Sequence, residues 1–182
     1  MINAKKPSDL QSCQTNRLLL QRPIDAHLPA VVAVHIDPET NRFNPSGPPT
    51  AEVCKTLFST WLAHWHDHGF GYWSVATLQQ PDLIIGFGGI VLKKIAASEV
   101  LNLYFRFSPA AWGKGYATEL GQAAIHSAFH VLDFAEVHAL VRPDNLPSCA
   151  VLKRLGLQQI GEIDDVPGQP PSLLFNISKE TL

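Results

Sequence analysis

A mixed α/β domain built on one sheet is what this sequence predicts, and three observations predict it. Strand-like and helix-like runs follow one another in the order β-α-α-β-β-β-α-β-α-β-β, which is seven strands and four helices. No linker, internal repeat or low-complexity run divides them, and 182 residues with 46% hydrophobic content suit one domain with a sizeable core. The third observation is a glycine-bearing run between a strand and a helix, Ser108-Pro109-Ala110-Ala111-Trp112-Gly113-Lys114-Gly115-Tyr116-Ala117-Thr118-Glu119-Leu120.

The elements can be justified in chain order. Met1 to Gln14 is polar and lacks the apolar core of a signal peptide, so 1-14 reads as a flexible tail and 15-182 as the single domain. Arg17 to Arg22 is the first strand, ended by Pro23. Asp25 to Val34 reads as a short helix, and Asp37 to Thr50 as a loop dense in Pro, Asn and Gly. Thr50 is the expected N-cap of a helix from Ala51 to about His68. Its apolar stripe is Val53, Leu57, Trp61 and Trp65, flanked by Phe58 and Leu62, and Gly69 and Gly71 stop it. Tyr72 to Leu78 and Leu83 to Leu92 are strands joined by a hairpin at Gln79 to Asp82. Gly86-Phe87-Gly88-Gly89 lies inside the second of these with no helix after it, so it is no nucleotide loop; small residues there permit close packing or a bulge.

Val100 to Phe107 is the strand that enters the glycine run. After it, Ala117, Leu120, Gly121, Ala124, Ile125, Ala128, Phe129 and Leu132 recur at helical spacing. Val137 to Val141 is a strand, and Ser148 to Leu155 a helix that Gly156 terminates. Leu157 to Ile163 and Leu173 to Ile177 close the series as strands around a loop from Asp164 to Pro171.

Several function classes are set aside by composition. A formal net charge of -2 gives no basic footprint for nucleic acid. No apolar run approaches the ~20 residues that span a bilayer, so no membrane role is expected. Cys13, Cys54 and Cys149 lack the close pairing of a zinc or redox motif and read as reduced thiols of a cytoplasmic protein. His64 and His68 have the i,i+4 spacing of metal ligands, but no Cys or carboxylate nearby completes a site; a polar helix face is expected, and no metal.

The glycine run carries the chemistry. A helix start offers unpaired N–H groups and the positive end of the peptide dipole, which favours an anion. A P-loop would need Ser or Thr after Lys114, where Gly115 stands, and a dinucleotide loop would need glycine at Thr118. The run resembles instead the acyl-CoA pyrophosphate loop of the GNAT family of N-acetyltransferases: Gln or Arg, two residues, Gly, one residue, Gly or Ala. Gly115 and Ala117 fit, and Trp112 replaces the Gln or Arg. Trp112 to Glu119 is similar to the branch typified by ribosomal-protein N-acetyltransferases (RimJ/RimL-like), whose opening strand Thr15 to Leu20 with Arg22-Pro23 also resembles. A second segment, Asn145-Leu146-Pro147-Ser148-Cys149-Ala150-Val151-Leu152-Lys153-Arg154-Leu155-Gly156-Leu157, resembles the family's Asn-x-x-Ser-x-x-Val-Leu-x-x-x-Gly-Phe, with Leu157 replacing Phe. The resemblance covers roughly Thr15 to Ile177.

It implies a GNAT acyl-CoA N-acyltransferase fold, a central mixed sheet of about seven strands flanked by helices. It implies acetyl-CoA as co-substrate, no metal, and a monomer or homodimer. The reaction implied is direct attack of a primary amine on the acetyl group in a ternary complex. In the family the strand before the loop and the strand after the central helix splay apart around the thioester arm. By resemblance Phe105, Arg106 and Phe107 pair their backbone with that arm, and Trp112, Gly113, Lys114, Gly115, Tyr116, Ala117 and Thr118 surround the pyrophosphate. Asn145 contacts the pantetheine or thiol end, and Ser148 protonates the departing thiolate or simply caps its helix. Cys149 is either an acyl carrier at a helix start or a buried inert thiol.

A general base is missing from the pattern. Many relatives have Glu where this chain has Asn102, and an amide cannot take that role. Glu99 through water and His138 are the remaining candidates. Without a strong base an α-amine of pKa ~8 costs ~1.4 kcal/mol to deprotonate at pH 7, against ~4.6 kcal/mol for a Lys amine. A protein or peptide α-amine is therefore the favoured acceptor, or else a small-molecule amine. The loops from Asp37 to Thr50 and from Asp164 to Pro171 are its expected walls, and Asp164 and Asp165 are either a lure for a cation or ordinary solvated acids. The alternative reading, which Asn102 and Trp112 permit, is a catalytically weak acyl-CoA-binding or sensing module.

Overall fold

The computed structural model describes residues 10–95 and 97–181. Its strands are β1 (Ser12–Gln14), β2 (Leu18–Gln21), β3 (Tyr72–Thr77), β4 (Gln80–Ile95), β5 (Ser98–Phe107), β6 (Glu136–Val141), β7 (Gln158–Ile163) and β8 (Ser172–Ser178). The helices are α1 (Leu28–Ile36), α2 (Ala51–His68), α3 (Tyr116–His130) and α4 (Leu146–Arg154). All eight strands form one sheet in the order β1-β2-β3-β4-β5-β6-β8-β7. Every neighbouring pair is antiparallel except β5 and β6, which are parallel and share a single registered pair, Asn102 with His138.

Alternation along the strands sorts the core into two clusters. Leu101 and Leu103 of β5 join Leu120, Ala124 and Phe129 of α3. Phe87 of β4 and Tyr72 of β3 join Val31 and Val34 of α1 and Phe58 and Trp61 of α2. The β4 glycines permit close packing, as expected: a Cβ on Gly88 would lie 2.5 Å from both Leu120 Cδ2 and the Tyr104 carbonyl oxygen. The pairing of β3 with β4 also slips between Val75 and Ala76, opposite Gly86 and Ile84.

Three expectations change. The sheet has an eighth strand, because Ser12–Gln14, inside the stretch read as a tail, pairs with β2, Cys13 standing opposite Leu20. Leu10 is buried beside it and its carbonyl accepts a hydrogen bond from Trp73 Nε1 at 2.8 Å. Leu10 and Cys13, scattered in a mostly polar stretch, have no periodicity to announce them. Residues 1–9 lie outside the described residues.

On α2, Thr50 caps as expected, its side chain accepting from Val53 N. The buried stripe, however, is Cys54, Phe58, Trp61 and Trp65, while Val53 is 55% and Leu57 37% exposed. Both stripes share the two tryptophans; counting Cys54 as the small hydrophobe it is would have turned the helix correctly.

Finally, α4 begins at Leu146, earlier than Ser148, because Asn145 caps it. Among the described residues no helix is long and apolar enough to cross a membrane.

Candidate functional site

The glycine run folds as a 3-10 turn, Pro109–Ala111, followed by a loop into α3. Gly113 (φ 72°) and Gly115 (φ 78°) both take the left-handed conformation that costs other residues energy. Space is open as well: a Cβ on Gly113 would meet nothing within 4 Å. Gly115 is the residue before the helix and no side chain caps it, so the first N–H groups of α3 are left to an outside acceptor. Trp112 turns its indole back onto the strand, Nε1 donating to the Phe107 carbonyl at 2.9 Å, and so brings no charge to the loop. The Thr118 hydroxyl accepts from Arg154 Nη1 at 3.4 Å.

Sequence reasoning passed over the group beside this loop. Arg17 Nε and Nη2 each lie 2.7 Å from Glu119 Oε2, and Arg17 Nη1 donates to the Lys114 carbonyl at 2.8 Å. Its guanidinium also lies over the Tyr116 ring, 5.0 Å from the centroid. Glu119 Oε1 takes hydrogen bonds from Thr15 Oγ1 at 2.6 Å and from the Arg17 backbone N–H at 2.8 Å. Burial alone would raise the Glu119 carboxyl, but the Thr15 and Arg17 hydrogen bonds and the Arg17 charge hold it below its ordinary value. The signal in the sequence was opposite charges in two motif segments 102 residues apart.

Beyond Asn102 and His138 the two parallel strands part. The Tyr104 and Arg106 carbonyls lie against Gly88 and Gly86 of β4, and Ser108 N–H donates to Ile85 of the same strand. By alternation the backbone of Leu103, Phe105 and Phe107 faces the gap. Arg106 therefore differs from its expected place: its backbone serves β4, and its side chain donates to Asn41 Oδ1 at 3.2 Å in the 37–50 loop.

Across the gap, Asn145 Oδ1 accepts from Ser148 N at 3.2 Å. The cap of α4 thus belongs to Asn145, and the half-buried Ser148 is left without the capping role considered for it. Cys149 is buried, and burial raises its thiol above the ordinary value, the opposite of the shift that activates a nucleophilic cysteine. Asn102 is buried, its Nδ2 donating to the Leu103 carbonyl at 3.2 Å; its Oδ1 and His138 Nδ1 are shielded from solvent with no hydrogen-bond partner among the described residues. His138 Nε2 faces Asn176 Nδ2 at 3.0 Å and Glu136 at 3.7 Å. Glu99 is exposed near the start of β5, opposite Lys94 of β4.

On the α1 and α2 face, His35 donates from Nδ1 to the Val31 carbonyl at 2.8 Å and accepts from the Tyr104 hydroxyl at 3.1 Å. Burial, then the Arg106 charge, push it down to about 4. The two loops expected as acceptor walls do meet: Phe43 and Asn44 of one and Gln169 and Pro170 of the other line a cleft of about 330 Å³ with Arg142. Asp165 is no lure for a cation, because Arg142 Nη1 holds it at 3.2 Å and Ser172 Oγ at 2.9 Å. His64 is engaged at both ring nitrogens, with the Phe70 carbonyl at 2.8 Å and Leu92 N–H at 3.1 Å. Among the described residues no group of three potential ligands gathers around a metal position.

Known proteins are similar to this chain in sequence and in fold. Residues 17–158 match the family described as "Acetyltransferase (GNAT) domain". The uncharacterized N-acetyltransferase YnaD of Bacillus subtilis is 31% identical over 84 residues, 46% of this chain and 48% of that one. The match to YkkB of the same organism likewise spans about half of each chain, 50% and 52%. The FsC-acetyl coenzyme A-N(2)-transacetylase of Aspergillus fumigatus is 27% identical over 80% of this chain and 64% of its own. Among solved structures, an acetyltransferase from Agrobacterium tumefaciens is 25% identical with a TM-score of 0.78, covering 92% of this chain and 94% of its own. The spermidine N-acetyltransferase of Vibrio cholerae in complex with CoA and spermine is 17% identical with a TM-score of 0.70, covering 91% and 98%. With the family matched over most of its length, the split strands and the glycine loop in place, this chain belongs to the GNAT acetyltransferase family.

Proposed function

We propose that the chain is an acetyl-CoA-dependent N-acetyltransferase of a primary amine, in the branch typified by ribosomal-protein N-acetyltransferases. One arrangement carries this reading: β5, which shares only the Asn102–His138 pair with β6, leads through the glycine loop into the uncapped start of α3. Acetyl-CoA supplies an activated acetyl thioester. The residues present fit it: Gly113 and Gly115 leave a Cβ-free approach to the first N–H groups of α3 for the pyrophosphate. Phe105 offers its backbone groups and Phe107 its N–H along the gap for the amide arm, the Phe107 carbonyl being taken by Trp112 Nε1, and Asn145 retains its Nδ2 for the thiol end. Ser148 donates the proton that the departing thiolate needs and regains one from the attacking nitrogen, which sheds it as the amide forms and the C–S bond breaks. Backbone N–H groups and fixed geometry supply the rest of the rate. Free thiols at Cys13, Cys54 and Cys149 fit a cytoplasmic enzyme.

The acceptor sheds its own proton. Asn102 cannot take it, His138 shields Nδ1 and turns Nε2 to Asn176, and Glu99 stands opposite Lys94 at the start of β5, on the far side of the Asn102–His138 pair from the glycine loop. That favours an amine of low pKa, an α-amine of a protein or peptide ahead of a Lys side chain. A spermidine acetyltransferase among the similar folds keeps small polyamines in the same screen. The test is acetyl transfer from acetyl-CoA to N-terminal peptides, polyamines and amine antibiotics. Transfer to at least one class, with α-amines ahead of Lys side chains, is the expected result. Tight CoA binding without transfer to any amine would make the chain a sensor.

A further inference from the structure

We propose that Arg17 and Glu119 form a latch that positions the anion cradle, which rests on the reading of α3 as the pyrophosphate site. A cradle for phosphate has two hazards on this chain. Glu119 stands in the first turn of α3, where its negative charge would repel the ligand. The Lys114 carbonyl sits between the two glycines, and an oxygen turned inward would do the same.

Arg17 removes both. Its Nε and Nη2 grip Glu119 Oε2 at 2.7 Å each, while Thr15 and the Arg17 N–H occupy Oε1. The carboxylate is drawn sideways toward β2 and paired with a full charge. From the same guanidinium, Nη1 holds the Lys114 oxygen at 2.8 Å. A peptide unit is planar and trans, so fixing that carbonyl on the Arg17 side fixes the Gly115 N–H on the opposite side. One planar fork can do these jobs together; an ammonium cannot. The latch lies at the rim of the cradle: Arg17 Nη2 is 3.4 Å from where a Cβ on Gly115 would sit, and the arginine side chain is 47% exposed.

The latch also explains why Thr15 to Arg17 matters beyond starting β2. Arg17 is a positioning residue, acting through the loop, and it should govern how tightly CoA is held and leave the chemical step alone.

Calorimetric titration of CoA into wild type, Arg17→Gln, Arg17→Lys and Glu119→Gln tests this, alongside kcat and the acetyl-CoA KM. Arg17→Gln should weaken CoA about tenfold, the worth of a hydrogen bond to a charged group, with kcat at saturation within about twofold. Arg17→Lys keeps the charge but loses the fork, and should resemble Arg17→Gln more than wild type. Glu119→Gln separates the readings by sign. Deleting a negative charge beside a phosphate site would tighten binding if only charge mattered; loosening the latch should weaken it about threefold. Tighter CoA binding by Glu119→Gln, or unchanged affinity in folded Arg17 variants, overturns the latch and leaves the pyrophosphate site standing. Wild type that does not bind CoA overturns both.

Discussion

Two helix starts, those of α4 and α3, are built in opposite ways. α4 closes its own first turn: Asn145 Oδ1 accepts from Ser148 N, and Pro147 in that turn has no N–H to satisfy. α3 leaves its first turn open: a left-handed glycine stands where a capping side chain would be, and the nearest carboxylate is held away by Arg17. A closed start is a rigid support, here for Ser148. An open start is a vacancy in hydrogen bonding that an anion completes. The same backbone feature thus serves structure in one helix and a ligand in the other.

The largest effect should come from closing the open start. Gly115→Asp brings bulk and a negative charge to the cradle, while Asp tolerates the left-handed conformation better than most residues. CoA affinity should fall by roughly a hundredfold, given charge repulsion where charge-assisted hydrogen bonds were made. Calorimetry on the folded variant reads this directly, and unchanged affinity would remove the pyrophosphate from this site.

A smaller pair of effects separates the two duties of the closed start. Ser148→Ala should lower kcat about tenfold at an unchanged acetyl-CoA KM, with melting unmoved, because the residue does not cap. Asn145→Ala loses the cap and should cost about 1 kcal/mol of stability. A melting loss in Ser148→Ala with normal turnover would reverse these assignments.

The contrast between the two starts was only half legible in the sequence. Gly113 and Gly115 after a strand and before an amphipathic run marked the open start, because glycine spacing and helical period are local signals. For α4 the sequence left Ser148 open between capping and proton donation and did not single out Asn145 as the cap, since both are good caps and the choice depends on whether Pro147 lies in or before the first turn. The order of seven strands was readable from period and turns. Their eighth neighbour, β1, was not, because three residues pairing at an edge carry too short a pattern to register. Arg17 with Glu119 escaped for a different reason: an ion pair across 102 residues has no local trace. The parting of β5 and β6 came from resemblance, and nothing in either strand's composition encodes it.

The smallest effect predicted is an absence. If the acceptor sheds its own proton, kcat/KM should rise about tenfold per pH unit below the acceptor's amine pKa and level off near it. Two acceptors whose amine pKa values differ by about one unit or more should then level off at different pH. His138→Gln should leave both profiles in place, with kcat/KM changed by less than about threefold. The geometry gives the reason: one ring nitrogen is shielded from solvent and the other is turned to Asn176, away from the splay. Asn102→Glu approaches the point from the other side by restoring a carboxylate where the strands part. It should favour amines of higher pKa, such as Lys, if the buried position accepts the charge. An inflection shared by both acceptors and abolished in His138→Gln would instead make the imidazole the base. It would also require that ring to turn Nδ1 toward the gap when substrate is bound.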